Sequence, residues 1–288
     1  MPSDVPQTLQ DWLRRATQRL HEAGSDSPRL DAQILLGHVL TRPRSYLYAH
    51  GEDLLTESEW QQAEALLEQR LTGHPIAHLL GRREFWSREL EVSPDTLIPR
   101  PETEITLELA LEQIPVGADR ALLDLGTGSG ALALMLALER PGCRVTAIDI
   151  SSAALAVARR NRERLGVDNL ELLEGDWFTP VAGRRFQLIV SNPPYVAERD
   201  PHLDAGDVRF EPRRALAAGA AGLDALEQLI MQAPEHLEPG GWLVLEHGFD
   251  QADSVASLLR EKGFIDIQCR HDLAGQPRAT AARHPGSG

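Results

Sequence analysis

Apolar positions in the first part of the chain recur at helical spacing. Leu9, Trp12, Leu13, Ala16 and Leu20 fall on one face of a helix. Ser27-Pro28 sets a capping residue and a first-turn proline ahead of LDAQILLGHVL. Thr56 and Glu59 form a capping-box pattern before WQQAEALLEQRL, and Gly73-His74-Pro75 ends that helix. The pattern predicts a bundle of short amphipathic helices over residues 1–80. From 81 to 100 it changes: Phe85, Leu90 and Val92 among charges predict short extended segments around a Ser93-Pro94-Asp95 turn, a connector or hairpin. Helical spacing returns over 101–113.

From residue 120 short apolar runs alternate with helical ones. Strands are expected at Ala121–Leu125, Arg144–Ile150, Leu170–Leu173, Phe186–Val190, Trp242–Glu246 and Phe264–Cys269. Helices are expected at Gly130–Glu139, Ser151–Leu165, Leu223–Leu237 and Ala252–Glu261, with Ser151 as an N-cap. Strands separated by helices of this length predict an α/β domain over 101–288, a doubly wound and mainly parallel sheet. Such sheets bind ligands at the carboxyl ends of their strands. The tail HPGSG reads as a frayed end.

Two of those strand ends carry chemistry. After the first comes Asp124-Leu-Gly126-Thr127-Gly128-Ser129-Gly130, opening a helix. Glycines let the backbone turn sharply and approach a ligand, and a helix start offers N–H groups to polar atoms. Asp149, at the end of the next strand and about 20 residues on, is placed to accept both hydroxyls of a ribose. This pair also suits a nicotinamide dinucleotide, and a glycine turn serving only strand–helix packing is the plain structural alternative. Asp124 and the doubled G-x-G-x-G lean towards S-adenosylmethionine.

Ser191-Asn192-Pro193-Pro194-Tyr195, after the strand Phe186–Val190, narrows the choice. An amide nitrogen is a poor nucleophile because its lone pair is delocalised. The Asn192 side-chain oxygen and the Pro193 carbonyl can each accept one N–H of a planar NH₂ and aim its nitrogen at a methyl donor. Tyr195 supplies a flat wall. This is positioning and preorganised electrostatics, and an already activated sulfonium needs no metal. Between the two motifs, Asp176-Trp177-Phe178 follows the third strand, where Trp177 can pack on an adenine and Asp176 can receive its amine; an aromatic core position is the alternative reading.

Composition bounds the partners. The chain has 288 residues and a net charge of −14, so a general basic footprint for phosphate backbones is absent. Nearly all positive charge is arginine, Lys262 being the only lysine. Cys143 and Cys269 suggest neither a disulfide framework nor a zinc set, and no metal site is expected. The opening MPSDVPQTLQDW lacks a basic stretch before an apolar core, and no run is long enough to span a bilayer. A cytoplasmic protein with no membrane partner is the expectation.

Taken together, these residues make the chain resemble the PrmC (HemK) family of release-factor glutamine methyltransferases. The resemblance runs through Ile98-Pro99-Arg100-Pro101-Glu102-Thr103-Glu104, the DLGTGSGA loop, Asp176-Trp177-Phe178, SNPPY, Val208-Arg209-Phe210-Glu211-Pro212, Ala217-Ala218-Gly219, Glu238-Pro239-Gly240-Gly241 and Asp272-Leu273-Ala274-Gly275. After DLAG, the stretch Gln276–Arg283 departs from the family's usual ending and bears on the last strand. The resemblance implies a class I S-adenosylmethionine-dependent methyltransferase fold, Rossmann-like with a mainly parallel seven-stranded sheet, and a small N-terminal helical domain. That domain is expected to recognise substrate, since the sheet domain already holds every catalytic motif. It implies that Gly126, Thr127, Gly128, Ser129, Gly130, Asp149, Trp177 and Asn192 bind the methyl donor. It implies that Asn192, Pro193, Pro194 and Tyr195 hold the glutamine of the Gly-Gly-Gln motif in class 1 peptide chain release factors, giving N5-methylglutamine. Two alternatives stay open: methylation of a glutamine in a ribosomal protein, and methylation of an amino group on a nucleic-acid base.

Overall fold

The computed structural model describes residues 8–286. Seven residues of the opening segment and the last two of the tail lie outside it. The described chain forms two compact units, divided between Gly81 and Arg82.

The first unit is helical: α1 (Leu9–Glu22), α2 (Pro28–Leu40), α3 (Arg44–Ala49), α4 (Glu57–Leu71) and α5 (Ile76–Leu80). Its core joins Trp12, Ala16 and Leu20 of α1 to Leu35 and Leu36 of α2 and to Ala63 and Leu67 of α4. The Thr56–Glu59 capping box forms in both directions. Ser27 occupies the cap position of α2, but its hydroxyl donates to Asp31 Oδ1 at 2.8 Å and caps no backbone N–H. Asp31 is the stronger acceptor, a buried carboxylate that also takes Arg70 Nε at 2.8 Å.

The second unit opens with a hairpin, β1 (Arg82–Phe85) and β2 (Arg88–Glu91). Its turn is Trp86-Ser87, both at positive φ, as a two-residue hairpin turn of this hand requires. The turn expected at Ser93-Pro94-Asp95 also forms, Thr96 N–H donating to the Ser93 carbonyl at 3.0 Å, but it follows β2 and does not join the two hairpin strands. Phe85 and Leu90 are buried in the core of this unit, so residues 82–100 belong to it and do not form a separate link.

Then come α6 (Thr103–Glu112), β3 (Ala121–Leu125), α7 (Ala131–Glu139), β4 (Arg144–Asp149), α8 (Ser152–Leu165), β5 (Leu170–Glu174), β6 (Phe186–Ser191), α9 (Asp224–His236), β7 (Leu237–Glu246), α10 (Ala252–Glu261), β8 (Ile265–His271) and β9 (Pro277–Arg283). The sheet order is β5-β4-β3-β6-β7-β9-β8. The strands from β5 to β7 are parallel, and β9 runs antiparallel between β7 and β8. Buried apolar side chains cover both faces, as a parallel sheet demands. The chain winds outward from β3 to β5, then returns to β6 on the other side of β3. The loops after β3 and β6 thus flank the switch in direction, where such sheets open a crevice. No helix among the described residues is long and apolar enough to cross a membrane.

Candidate active site

Gly130 closes the loop after β3 at a φ of +88°, and a Cβ there would lie 2.9 Å from Leu134 Cδ1 and 3.3 Å from Ala158 Cβ. Neither the backbone angle nor the space admits a side chain. Four of the loop N–H groups are spoken for. Those of Gly126 and Thr127 donate to the Ile148 carbonyl, and that of Gly130 donates to Thr127. Gly128 N–H donates to Asp149 Oδ2 at 2.8 Å. The expectation that this loop offers its N–H groups to a ligand is corrected for these four: three lash the loop to the end of β4, and that of Gly130 closes the loop on itself. Asn161, fully buried on α8, secures the other side, donating to the Ser129 carbonyl and exchanging hydrogen bonds with the Glu91 backbone.

A cavity of about 240 Å³ opens beside this loop. Gly126, Thr127, Gly128, Ser129, Asp149, Trp177 and Asn192 line it, with Asp176, Pro194 and Asp124. Gly130 does not, since it faces Leu134 and Ala158; nor do Pro193 and Tyr195. Trp177 stands at a φ of +42°, uncommon for a bulky residue, with its ring over Gly126. Asp149 Oδ1 accepts the Ser151 N–H, so both its oxygens already hold the backbone in place. Asp124 is fully buried. Its Oδ2 accepts the Thr127 hydroxyl at 2.6 Å, and its Oδ1 has no hydrogen-bond partner among the described residues. Burial pushes its carboxyl up to about 7 against the Thr127 hydrogen bond.

The loop after β6 is held from behind. Asn192 Nδ2 donates to Thr103 Oγ1 at 3.1 Å. The Tyr195 hydroxyl donates to Glu246 Oε1 at 3.3 Å, and burial first, then that carboxylate, push its pKa up. The Tyr195 carbonyl accepts Gln251 Nε2 at 2.9 Å, and Val196 exchanges backbone hydrogen bonds with Leu216 and Ala218. A Cβ on Gly222 would meet that same carbonyl at 2.3 Å, which is why glycine stands there. Two further segments border the cavity, at 95–99 and 212–215. Glu211 ties them, accepting Ile98 N–H at 2.9 Å and pairing with Arg100. Thr103, Glu246, Gln251 and Glu211 carry no motif of their own; Thr103 and Glu211 sit in segments that the resemblance flagged, whereas nothing local marks Gln251 or Glu246.

A glycine loop after β3, an acid at the end of β4 and Asn-Pro-Pro-Tyr after β6, on this strand order, define a class I methyltransferase. A methyltransferase from Pyrococcus furiosus shares the fold at a TM-score of 0.54, with 21% identity over 76% of this chain and 98% of that one. The family descriptions "PrmC N-terminal domain" and "methyltransferase small domain" match residues 11–81 and 102–218. The release factor glutamine methyltransferase of Vibrio cholerae is 49% identical over 278 residues, 96% of this chain and 97% of that one. That of Yersinia pestis is 50% identical over 271 residues, 94% and 97% of the two chains. The chain belongs to the family of release factor glutamine methyltransferases.

Proposed function

We propose that this protein transfers a methyl group from S-adenosylmethionine to the side-chain N5 of the Gly-Gly-Gln glutamine of a class 1 release factor. The observation that carries this reading is the placement of Asn192 on the cavity, with its NH₂ taken by Thr103 and its oxygen left to accept. S-adenosylmethionine, when bound, supplies a methyl group on an activated sulfonium. The cavity residues fit it. Asp149 accepts the ribose hydroxyls with its remaining lone pairs, and Trp177 offers a ring to the adenine beside Asp176. The unpartnered Oδ1 of Asp124 suits a cationic ammonium group.

Asn192 Oδ1 and the Pro193 carbonyl accept the two N–H groups of the substrate amide. They hold its nitrogen in line and favour the positive charge that develops there as the bond to carbon forms. The proton leaves from that nitrogen, which is strongly acidic once alkylated. Tyr195 buttresses the loop through Glu246. The net charge of −14 favours a protein over a phosphate backbone. Labelled methyl followed into release factor, DNA and RNA side by side tests this. Label in the release factor, lost when the Gly-Gly-Gln glutamine is replaced by alanine, is expected; label in nucleic acid alone overturns the assignment.

A further inference from the structure

We propose that Glu246 is a positioning residue: it fixes the direction of a hydrogen-bond chain that runs through Thr103 to Asn192 and branches to Tyr195. The proposal rests on the reading of Asn192 as the grip on the substrate amide. Glu246 ends β7 and is 1% exposed, and it does not line the cavity. Its Oε2 accepts the Thr106 hydroxyl at 3.2 Å and its Oε1 the Tyr195 hydroxyl at 3.3 Å. The Thr103 hydroxyl is also within its reach.

A carboxylate only accepts hydrogen bonds, so the Thr106 and Tyr195 hydroxyls turn their single hydrogens towards Glu246. The Thr103 hydroxyl, one turn before Thr106 on the buried face of α6, is placed to do the same. Thr103 Oγ1 is then left with lone pairs alone for Asn192, whose Nδ2 lies 3.1 Å away. An amide that gives its NH₂ to Thr103 turns its oxygen the other way, towards the acceptor position that a substrate NH₂ needs. A donor in place of the carboxylate frees the Thr103 hydrogen to point at Asn192. The Asn192 amide then sits equally well flipped, presenting donors to a donor. A charge that touches no ligand thus sets the polarity of the group that does.

Burial pushes Glu246 up to about 7, Glu102 adding to it and the three hydroxyls opposing it. The other charges felt at this cluster are Arg100 and Arg278, which act on Tyr195 by charge while paired with Glu211 and Asp272. His247, next in the chain, is held below its usual value by burial and is bonded to Thr280 and the Gly248 carbonyl, so it stays neutral here. The carboxylate that orders the chain therefore forms as pH rises through about 7, and turnover rises with it. Asp124 titrates in the same range, but at the cavity, so its effect falls on cofactor affinity.

The test uses the full-length enzyme with purified release factor. The kcat, the KM for release factor and the S-adenosylmethionine Kd are measured from about pH 6 to about pH 9. Glu246→Gln and Thr103→Val should each lower kcat about 10- to 100-fold, the scale of a small misplacement of reacting groups, with cofactor affinity within about twofold. The rise in kcat near pH 7 should vanish in Glu246→Gln. The double variant should be little worse than either single one, since both break one chain, and Thr103→Ser should restore turnover. Wild-type kcat and pH profile in a Glu246→Gln protein that binds cofactor would overturn the proposal, as would a Thr103→Ser variant as impaired as Thr103→Val. If Glu246→Gln does not fold, the two Thr103 variants decide. Absence of transfer by the wild-type enzyme would instead sink the functional reading beneath it.

Discussion

Asn192 and Asp149 each do two jobs, and the effects of replacing them differ accordingly. Asn192 is anchored by one side-chain hydrogen bond, to Thr103, and presents the rest of its amide to the cavity. Asn192→Ala should fold and bind cofactor while losing on the order of 10²–10³ in rate, as for one preorganised polar group. Single-turnover methylation at the wild-type rate would remove Asn192 from the chemistry. Asp149 by contrast accepts backbone N–H groups from Gly128 and Ser151 besides its proposed ribose contact. Asp149→Ala should weaken S-adenosylmethionine binding by roughly 1.5–3 kcal/mol. It should also lower the melting temperature, because the glycine loop loses its tether. Calorimetry with unchanged affinity would place the ribose elsewhere.

Among the elements, what was legible in the sequence followed from local spacing. The glycine loop, Asp149, Trp177 and Asn-Pro-Pro-Tyr all sit just past apolar runs, and a strand followed by such a cluster needs no distant information to be read. β9 was harder. Pro277-Arg-Ala-Thr-Ala-Ala-Arg has little β-branched or aromatic character, yet it pairs with both β7 and β8, and its alanines at 279, 281 and 282 are fully buried. The start of β7 was hidden for another reason. Leu237 pairs with Phe186 and the ladder resumes only at Trp242 with Leu188, so Glu238-Pro-Gly-Gly reads as a turn although it lies inside the strand's span as an irregularity. Glu246 and Thr106 meet across 140 residues, a separation no spacing rule reaches. Asn161 shows the same long reach: from α8 it joins the β2 end to the glycine loop. Asn161→Ala strands buried backbone groups at Glu91 and Ser129. It should destabilise the protein by about 2–3 kcal/mol in denaturant unfolding and weaken cofactor binding with it. An unchanged midpoint would show that the hairpin holds without it.

At the scale of the molecule, two buried acids shape the response to pH. Burial raises both Asp124 and Glu246 to about 7, so the folded state holds their protons more tightly than the unfolded chain. The stability this confers is full below the unfolded value, about pH 4, and is lost as pH rises to about 7. Asp124→Asn should remove part of that loss. Relative to wild type, it should gain on the order of 1–3 kcal/mol between about pH 5 and about pH 8 in urea unfolding, while binding cofactor less well. A constant difference across that range would mean Asp124 is not raised. No residue of the helical unit lines the cavity, and we propose that this unit recognises the protein substrate. A protein of residues 82–288 should keep its S-adenosylmethionine affinity yet methylate intact release factor poorly; equal turnover on the full-length partner would deny that unit its role. The most direct test of this activity is mass spectrometry of a class 1 release factor incubated with this enzyme and S-adenosylmethionine. One added methyl group is expected, located by fragmentation on the glutamine of Gly-Gly-Gln. An unmodified glutamine, or a methyl group on any other residue, would contradict it.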